Sequence, residues 1–240
     1  MIMEKKELGE DIEQRYFDDI LIPSVEKDEG MMNMGVYPFV ISGGKNTEHY
    51  YFKHISKKTD YKFIIKPEYF GDESNYTVVF PKRIKKILDK NADAKIFCVF
   101  DYDTIYKNKT NQESHEKFVN SIKKEIDNGS VVLCPSMPSI EYWFLLHFEN
   151  RTQLIKTCGK TMQKLLEPYM LPFFPNPQGK RLLNILKSEE FVEKPEWVVK
   201  LCENGKLDAA IQRAESNINS ANAAGDLEKQ SYSFVYLLFK

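Results

Sequence analysis

The sequence predicts an α/β protein with a mostly parallel, four-stranded sheet flanked by helices and a helical C-terminal extension. Short apolar runs rich in β-branched and aromatic residues alternate with amphipathic helical segments, and this alternation is typical of right-handed crossovers between parallel strands. The most regular run, residues 96–100 (IFCVF), is apolar throughout, as expected for a central strand covered on both faces. The chain of 240 residues can form one sizeable domain, or a core domain with an appended subdomain.

Composition and charge are those of an ordinary soluble globular protein. Charged residues make up 29% of the chain and hydrophobic residues 42%. The formal net charge of -1 argues against a generally basic nucleic-acid coat. Lysines cluster around residues 53–66 and 82–90, and each cluster could be a local basic face or a solvated helix face. Four widely spaced cysteines without a C-x-x-C pair favour buried thiols in a reducing compartment over a structural zinc site.

We expect the N-terminal residues to form a helix and a linker rather than a targeting segment. The opening MIMEKKELGEDIEQ is too acidic and too poor in apolar residues for a signal peptide, and no run reaches the length of a membrane span. A cytoplasmic protein without membrane contact is therefore expected. Apolar positions at near-helical spacing predict an amphipathic helix over residues 4–22, and residues 23–35 read as a linker, so residues 1–35 lie outside the predicted main domain.

The main domain is predicted over residues 36–150. Its first strand covers residues 36–41 and runs through the turn SGGKNTE into a helix over residues 49–57. The remaining elements alternate in the same way, with strands over residues 61–66, 96–100 and 131–134, a loop over 67–76, and helices over 77–90, 111–128 and from Ser139 onward.

Four carboxylates follow three of these strands. Asp101 and Asp103 come directly after the central strand, and they point the same way if the extended conformation continues that far. Glu48 and Glu141 lie in the first turns of the helices after the first and fourth strands. Since the carboxyl ends of parallel strands meet at one edge, all four can share it. Like charges held together need a proton or a cation between them, and for Asp101 and Asp103 alone, turn residues and metal ligands are equally supported.

Beyond residue 150 the sequence predicts a helical subdomain over residues 151–240. A proline-rich aromatic loop at residues 171–179 interrupts it, and the apolar tail SYSFVYLLFK at residues 231–240 must be covered by the protein's own core or by a partner. This part is a candidate surface for a homodimer or another protein. Helices are predicted over residues 152–170, 181–188, 189–204 and 206–219.

Three stretches carry a resemblance to a known family. They are GGKNTEHYYF at residues 43–52, VFDYD at residues 99–103 and PSIEYWFLLHF at residues 138–148. Together they resemble the RloB-like proteins, which belong to the Toprim (topoisomerase-primase) superfamily and are related in domain type to the OLD-family nucleases. The last stretch is the most specific, and the resemblance covers roughly residues 36–150.

The resemblance implies a Toprim nuclease that uses Mg²⁺ or Mn²⁺ to cleave phosphodiester bonds in DNA or RNA, in bacterial antiviral defence such as abortive infection. Carried over to this chain, Asp101 and Asp103 match the D-x-D pair, Glu48 matches the second acid of the E-G-x-x-T-E signature, and Glu141 matches the acid of the F-E-x-W helix. Clustered carboxylates select hard divalent cations, which agrees with these roles.

One position departs from the family pattern. The first glutamate of the signature falls at Gly43, which has no side-chain ligand, and neither the neutral Ser42 nor the cationic Lys45 replaces it. Two functions from different classes follow. The first is a metal-dependent nuclease in which Asp101 and Asp103 hold the principal metal and Lys45 stabilises developing charge. Its rival is a catalytically degenerate Toprim module that binds nucleic acid or a partner ATPase as a subunit of a defence complex.

Glu48 and Glu141 complete or flank the metal site in the nuclease hypothesis. A third interpretation is an α/β protein whose acids are unrelated surface groups, and it requires three separate motifs to coincide by chance.

Overall fold

A five-stranded, mostly parallel sheet organises the chain. The computed structural model describes residues 37–44, 46–66, 75–177 and 179–240. The predicted helix over residues 4–22, the linker over 23–35 and Lys45 lie outside the described residues. The strands are β1 (Phe39–Ser42), β2 (Ile64–Lys66), β3 (Ile96–Asp101), β4 (Val131–Met137) and β5 (Tyr232–Ser233).

The strand order is β2-β1-β3-β4-β5, in which the first four strands are parallel. The central β3 is buried along almost its whole length, as its continuous apolar run predicts. The sequence predicts four strands, and the structure has a fifth, because β5 pairs antiparallel with the end of β4. Ser136 of β4 faces Ser233 of β5, and their hydroxyl oxygens are 2.8 Å apart. A strand of two residues is too short to show an alternating pattern in the sequence.

Helices cover the sheet and make up most of the chain beyond β4. The mixed α/β architecture is the one that the sequence predicts. The α-helices of the described residues are α1 (Thr47–Lys58), α2 (Tyr76–Lys90), α3 (Asp103–Tyr106), α4 (Lys109–Ser121), α5 (Lys123–Asp127), α6 (Ile140–Leu146), α7 (Lys160–Met170), α8 (Leu182–Leu186), α9 (Glu189–Val192), α10 (Glu196–Cys202) and α11 (Lys206–Ala224). Short 3₁₀ helices lie at Leu171–Phe173, Leu227–Lys229 and Phe234–Phe239.

Two predicted helices are broken in the structure. The helix predicted over residues 111–128 is the pair α4 and α5, separated at Ile122, whose backbone leaves the helical region. The helix predicted over residues 189–204 is the pair α9 and α10, and Pro195 stands at the N-cap of the second, where its missing N–H is tolerated.

The helix predicted over residues 152–170 begins only at Lys160. Residues 152–159 run beside the C-terminal segment instead, where Gln153 forms a β-bridge with Gln230. The Ser231 N–H donates to the Thr152 carbonyl (3.1 Å), and the Ile155 N–H donates to the Ser231 hydroxyl (2.8 Å). These long-range hydrogen bonds satisfy backbone groups that a helix would otherwise pair, so tertiary contacts override the local pattern.

The apolar C-terminal tail is covered by the protein's own core. Phe239 stacks on Trp143 of α6 with ring centroids 5.7 Å apart, and it also contacts the rings of Tyr61 and Phe63. Trp143 in turn donates its indole N–H to the Tyr51 hydroxyl (2.7 Å), which joins α6 to α1. The aromatic run of α6 therefore lies at the centre of the core, with α1 and the tail packed against it.

His147 and the cysteines have structural environments. His147 is buried, and its Nδ1 lies 3.0 Å from the Trp143 carbonyl, as expected for a packing residue. Burial lowers the pKa of its imidazole to about 3, so the ring is neutral. Cys98 and Cys134 are buried free thiols, as the sequence predicts. Within the described ranges, no helix combines the length and the apolar character needed to cross a bilayer.

Phe239→Ala should destabilise the domain by about 3 kcal/mol, because it removes a buried ring that packs on three aromatic side chains. Urea unfolding followed by tryptophan fluorescence measures the change, since Trp143 lies in this contact. Val78→Ala, at a position that is 51% exposed, is the control and should shift the midpoint little. Equal midpoints for the two variants would contradict the role assigned to the tail.

Candidate active site

Glu48, Asp101 and Glu141 meet at the carboxyl edge of the sheet. Glu48 lies in the first turn of α1 after β1, Asp101 is the last residue of β3, and Glu141 lies in the first turn of α6 after β4. Asp101 interacts electrostatically with both glutamates, and the glutamates interact with each other. We refer to these three side chains as the carboxylate cluster.

Burial and repulsion from neighbouring acids raise the proton affinity of Glu48 and Asp101. Burial raises the pKa of Glu48 to about 7, and the neighbouring Glu141 adds to the shift against opposing hydrogen bonds from the backbone of Glu48 and Gly44. Burial, followed by Glu48 and Glu141, also holds the pKa of Asp101 well above its usual range. Near neutral pH, three adjacent negative charges are therefore unfavourable at this edge, and protons or a cation would relieve the repulsion.

Asp101 is tied to the start of α6. Its Oδ1 accepts a hydrogen bond from the Ile140 N–H at 3.0 Å. This bond opposes the effect of burial, because it favours the charged carboxylate and therefore lowers its pKa. Since Glu141 is the next residue in the chain, the same bond also holds the start of α6, which carries Glu141, against the end of β3.

Asp103 has a different set of partners. β3 ends at Asp101, and Asp103 is already the first residue of α3. The extended conformation that would point the two side chains the same way therefore does not reach Asp103. The Asp103 Oδ2 accepts hydrogen bonds from the Cys158 N–H and from the Lys107 ammonium group, both at 3.1 Å. Asp103 is 6% exposed and still adds to the negative field at Asp101.

Ser139 and Cys158 bind the Glu141 side of the cluster. Ser139 occupies the N-cap position of α6, as predicted, but its hydroxyl makes no capping bond. It donates instead to the Glu141 Oε2 at 2.5 Å. The Cys158 side chain interacts with both Ser139 and Glu141, and burial raises the pKa of its thiol, so the thiol stays protonated.

Glu48 is held by the turn between β1 and α1. Its carboxylate lies over Gly44, where an added Cβ would be 1.8 Å from the Glu48 Oε2, so only glycine leaves room for this conformation. Lys187, just beyond α8, lowers the pKa of Glu48 through its positive charge. The Thr47 hydroxyl donates to the Leu186 carbonyl (2.8 Å) and fixes the end of α8 beside the cluster.

A family model described as RloB-like protein matches residues 39–240. The chain belongs to the RloB-like protein family. No curated protein and no solved structure matches it. The family match extends well beyond the three stretches within residues 36–150, and it includes β5 and the tail that completes the core. The C-terminal part is thus a component of the RloB-like fold, and it supplies Lys187 and Cys158 to the site.

The donor set of the RloB-like site suits a hard cation in its chemistry. Carboxylate oxygens are the ligands that Mg²⁺ and Mn²⁺ prefer, and binding a cation would relieve the repulsion that raises the pKa values of Glu48 and Asp101. In the part of the chain that the structure describes, no group of three or more His, Cys, Asp or Glu side chains is arranged so that it could hold a metal ion. The carboxylates are brought together without forming a closed coordination shell.

The sequence did not reveal the residues that support the cluster. Lys187 and Cys158 come from distant parts of the chain, and their contacts depend on how the segment before α7 reaches Asp103 and how the end of α8 reaches α1. No local signal marks them. The sequence predicted Ser139 as the N-cap of α6, and Ser139 does occupy that position. Its hydroxyl, however, donates to the Glu141 carboxylate and not to the helix backbone. Lys107 is one helical turn after Asp103, and this i, i+4 spacing could have indicated the ion pair.

Glu48→Gln should change how stability depends on pH. The carboxyl has an ordinary pKa of 4.5, and its folded pKa is about 7, so between these values the folded protein holds the proton more tightly. The raised pKa of Glu48 contributes its full stabilisation to the folded protein below pH 4.5, where the carboxyl is neutral in both states. This stabilisation is lost as pH rises through about 7, where the buried carboxyl becomes charged. Without divalent metal, the substitution should raise the free energy of unfolding on the order of 2 kcal/mol at about pH 8, and much less at about pH 5.

Urea unfolding in EDTA at the two pH values measures this effect. Glu113→Gln is the matched control, because Glu113 is exposed on α4. The control should show no gain at either pH. A gain for Glu48→Gln that is equal at both pH values would contradict the assigned role of charge.

Proposed function

We propose that this RloB-like protein is a divalent-metal-dependent nuclease of the Toprim type that cleaves phosphodiester bonds in DNA or RNA, with Mg²⁺ or Mn²⁺ as its cofactor. The observation that carries the proposal is the convergence of Glu48, Asp101 and Glu141 at the carboxyl ends of three parallel strands. When bound, such a cation neutralises phosphate charge and lowers the pKa of bound water. The resemblance of the sequence to Toprim proteins supports a role in bacterial defence against phage.

The carboxylates have distinct proposed roles. Asp101 and Glu141 hold the metal, because the Ile140 N–H and the Ser139 hydroxyl orient their carboxylates. Asp103 flanks the site as a further ligand, held by the Cys158 N–H and Lys107. Glu48 contributes to metal binding as the third carboxylate of the cluster, beside the positive charge of Lys187.

Positive charge at the site has a proposed role as well. Lys187 acts on Glu48 from the end of α8 and provides a cation that could stabilise charge developing on the phosphate. We propose the same role for Lys45, two residues before α1 in the sequence. A cytoplasmic location, a homodimer and a partner ATPase in a defence complex are part of the same proposal, and they rest on the family resemblance.

Asp101→Asn and Glu141→Gln should each slow nucleic-acid cleavage by about 100-fold or more, since each removes a charged ligand. Purified protein is incubated with single- and double-stranded DNA and RNA in Mn²⁺ or Mg²⁺, and initial rates are measured on gels. Asp93→Asn and Glu113→Gln are matched controls at exposed positions and should cut as the parent does.

Calorimetry of Mn²⁺ binding distinguishes two reasons for an absence of cleavage: that the right substrate was not tried, or that the protein has no metal site. Mn²⁺ should bind the parent protein, and Asp101→Asn should weaken this binding while Asp93→Asn leaves it unchanged. The nuclease proposal is wrong if no substrate is cut and no metal binding depends on Asp101.

A specific observation favours a second candidate, the degenerate module that binds nucleic acid or a partner ATPase. Gly43 stands where the family signature has an acid, and the backbone there has room for a side chain. An added Cβ would have the Tyr76 Cβ at 3.9 Å and the Val99 carbonyl oxygen at 4.0 Å, which are ordinary contacts. Gly43→Glu can therefore add a carboxylate at the end of β1 without a clash of its Cβ with the backbone.

The two candidates differ in what Gly43→Glu should do. If the module is degenerate, the substitution should tighten Mn²⁺ binding at least about tenfold, because it adds a hard oxygen ligand and a negative charge. Gly43→Gln is the matched control of the same shape without the charge, and calorimetry measures both. Metal binding and cleavage by the parent protein itself would exclude the degenerate module.

A further inference from the structure

A basic groove of ≈ 760 Å³ lies between α7 and the segment that leads into α8. Lys160 and Lys164 line one wall, one helical turn apart, and Arg181 lines the groove from the other side. All three residues are exposed. Within the described ranges none of them has an ion-pair partner, so their charges are available to a ligand.

A buried hydrogen-bond donor lies in the same wall. Gln163 lines the groove between the two lysines, and its Oε1 accepts from the Leu183 N–H at 2.9 Å. That bond fixes the amide, because the flipped orientation would set an NH₂ group against an N–H. The Nε2 is shielded from solvent and has no hydrogen-bond partner in the described part of the chain. Through its bond to Leu183, Gln163 joins this wall of the groove to the start of α8.

The groove borders the carboxylate cluster. Lys160 begins α7 two residues after Cys158, whose N–H holds Asp103. Arg181 precedes α8, and the other end of α8 binds Thr47, next to Glu48. A helix of five residues spans only about 7.5 Å. Both sides of the groove are therefore fixed to the elements that carry the cluster.

The remaining lining is mostly apolar. Leu171, Phe174 and three prolines face the groove, and Glu167 is the acidic residue among its described lining residues. Three cations against one acid leave the lining with a positive charge. A positive track beside an apolar wall is the arrangement with which proteins bind single-stranded nucleic acids, whose backbone follows the cations while the bases turn to the wall.

We propose that this groove binds a single-stranded nucleic acid and leads its backbone to the carboxylate cluster. Lys160, Lys164 and Arg181 contact successive phosphates. The bases of a single strand are free to contact the apolar side chains, whereas those of a duplex are stacked inside it. This inference rests on the proposed nuclease function for the fate of the strand, and it specifies that function's substrate as single-stranded.

Binding is tested apart from cleavage. The Asp101→Asn protein is titrated in EDTA into a fluorescently labelled oligonucleotide of about 12 nucleotides, a length within the usual site sizes for single strands. Lys160→Ala/Lys164→Ala/Arg181→Ala on this background should weaken binding about tenfold or more. The same triple substitution should reduce the slope of log affinity against log salt by about 2, since each lost phosphate contact removes about 0.7.

Two further variants distinguish the groove from general charge. Lys82→Ala/Lys85→Ala/Lys117→Ala removes three exposed cations on α2 and α4 and should leave the affinity unchanged. Gln163→Glu keeps the acceptor for the Leu183 N–H but puts a negative charge in the wall, so it should weaken binding by itself. Circular dichroism spectra that match the parent show that each variant is folded.

Several outcomes would overturn the inference. It is wrong if the groove variant binds as its parent does, or if the control triple variant loses as much affinity. It is also wrong if duplex DNA or polyglutamate displaces the labelled strand as well as an unlabelled strand does, because the groove would then be a site for duplex or for acidic protein. A failure of cleavage with groove-dependent binding intact would contradict the proposed nuclease alone.

Discussion

The hydrogen bond from the Ile140 N–H to the Asp101 carboxylate is the contact on which the candidate site depends. It joins the end of β3 to the start of α6, and beside it the Tyr102 N–H donates to the Ser136 carbonyl at 2.9 Å. A backbone donor at a helix start favours a negative charge, which offsets part of the burial of Asp101. Without this bond, the positions of Asp101 and Glu141 would be set only by the packing of their elements.

Around that bond, each acid has a partner of its own. Ser139 donates to Glu141, the Cys158 N–H and Lys107 bind Asp103, and the charge of Lys187 acts on Glu48. These partners come from the chain on both sides of β4. The site is therefore a product of the whole domain, in which strand ends and helix starts provide the acids and segments before and after β4 provide the compensating groups.

The sequence predicted the parts of this structure that depend on local pattern. The continuous apolar run before Asp101 indicated a central strand, and the Pro138-Ser139 pair indicated the start of α6, because both signals lie within a few residues. Parallel pairing then placed Glu48, Asp101 and Glu141 at one edge.

Features that depend on contacts between distant parts of the chain could not be predicted from local sequence patterns. β5 exists because the end of β4 has a free edge that Tyr232–Ser233 can pair with, and residues 152–159 leave the helical conformation to bind the same segment. Likewise, the direction of Asp103 depends on Cys158, which is 55 positions away. A local sequence pattern does not show which distant backbone groups will form hydrogen bonds with a given residue.

The contact between Phe239 and Trp143 also orders events during synthesis. The ribosome makes α6 long before it makes the segment that covers it, and at about 5–20 residues per second the delay is on the order of ten seconds. Over that interval the part of α6 that the segment covers remains exposed. The nascent chain should therefore depend on chaperones or on transient contacts until residues 232–239 emerge, and the edge that holds the acids should form only after much of the domain has been made.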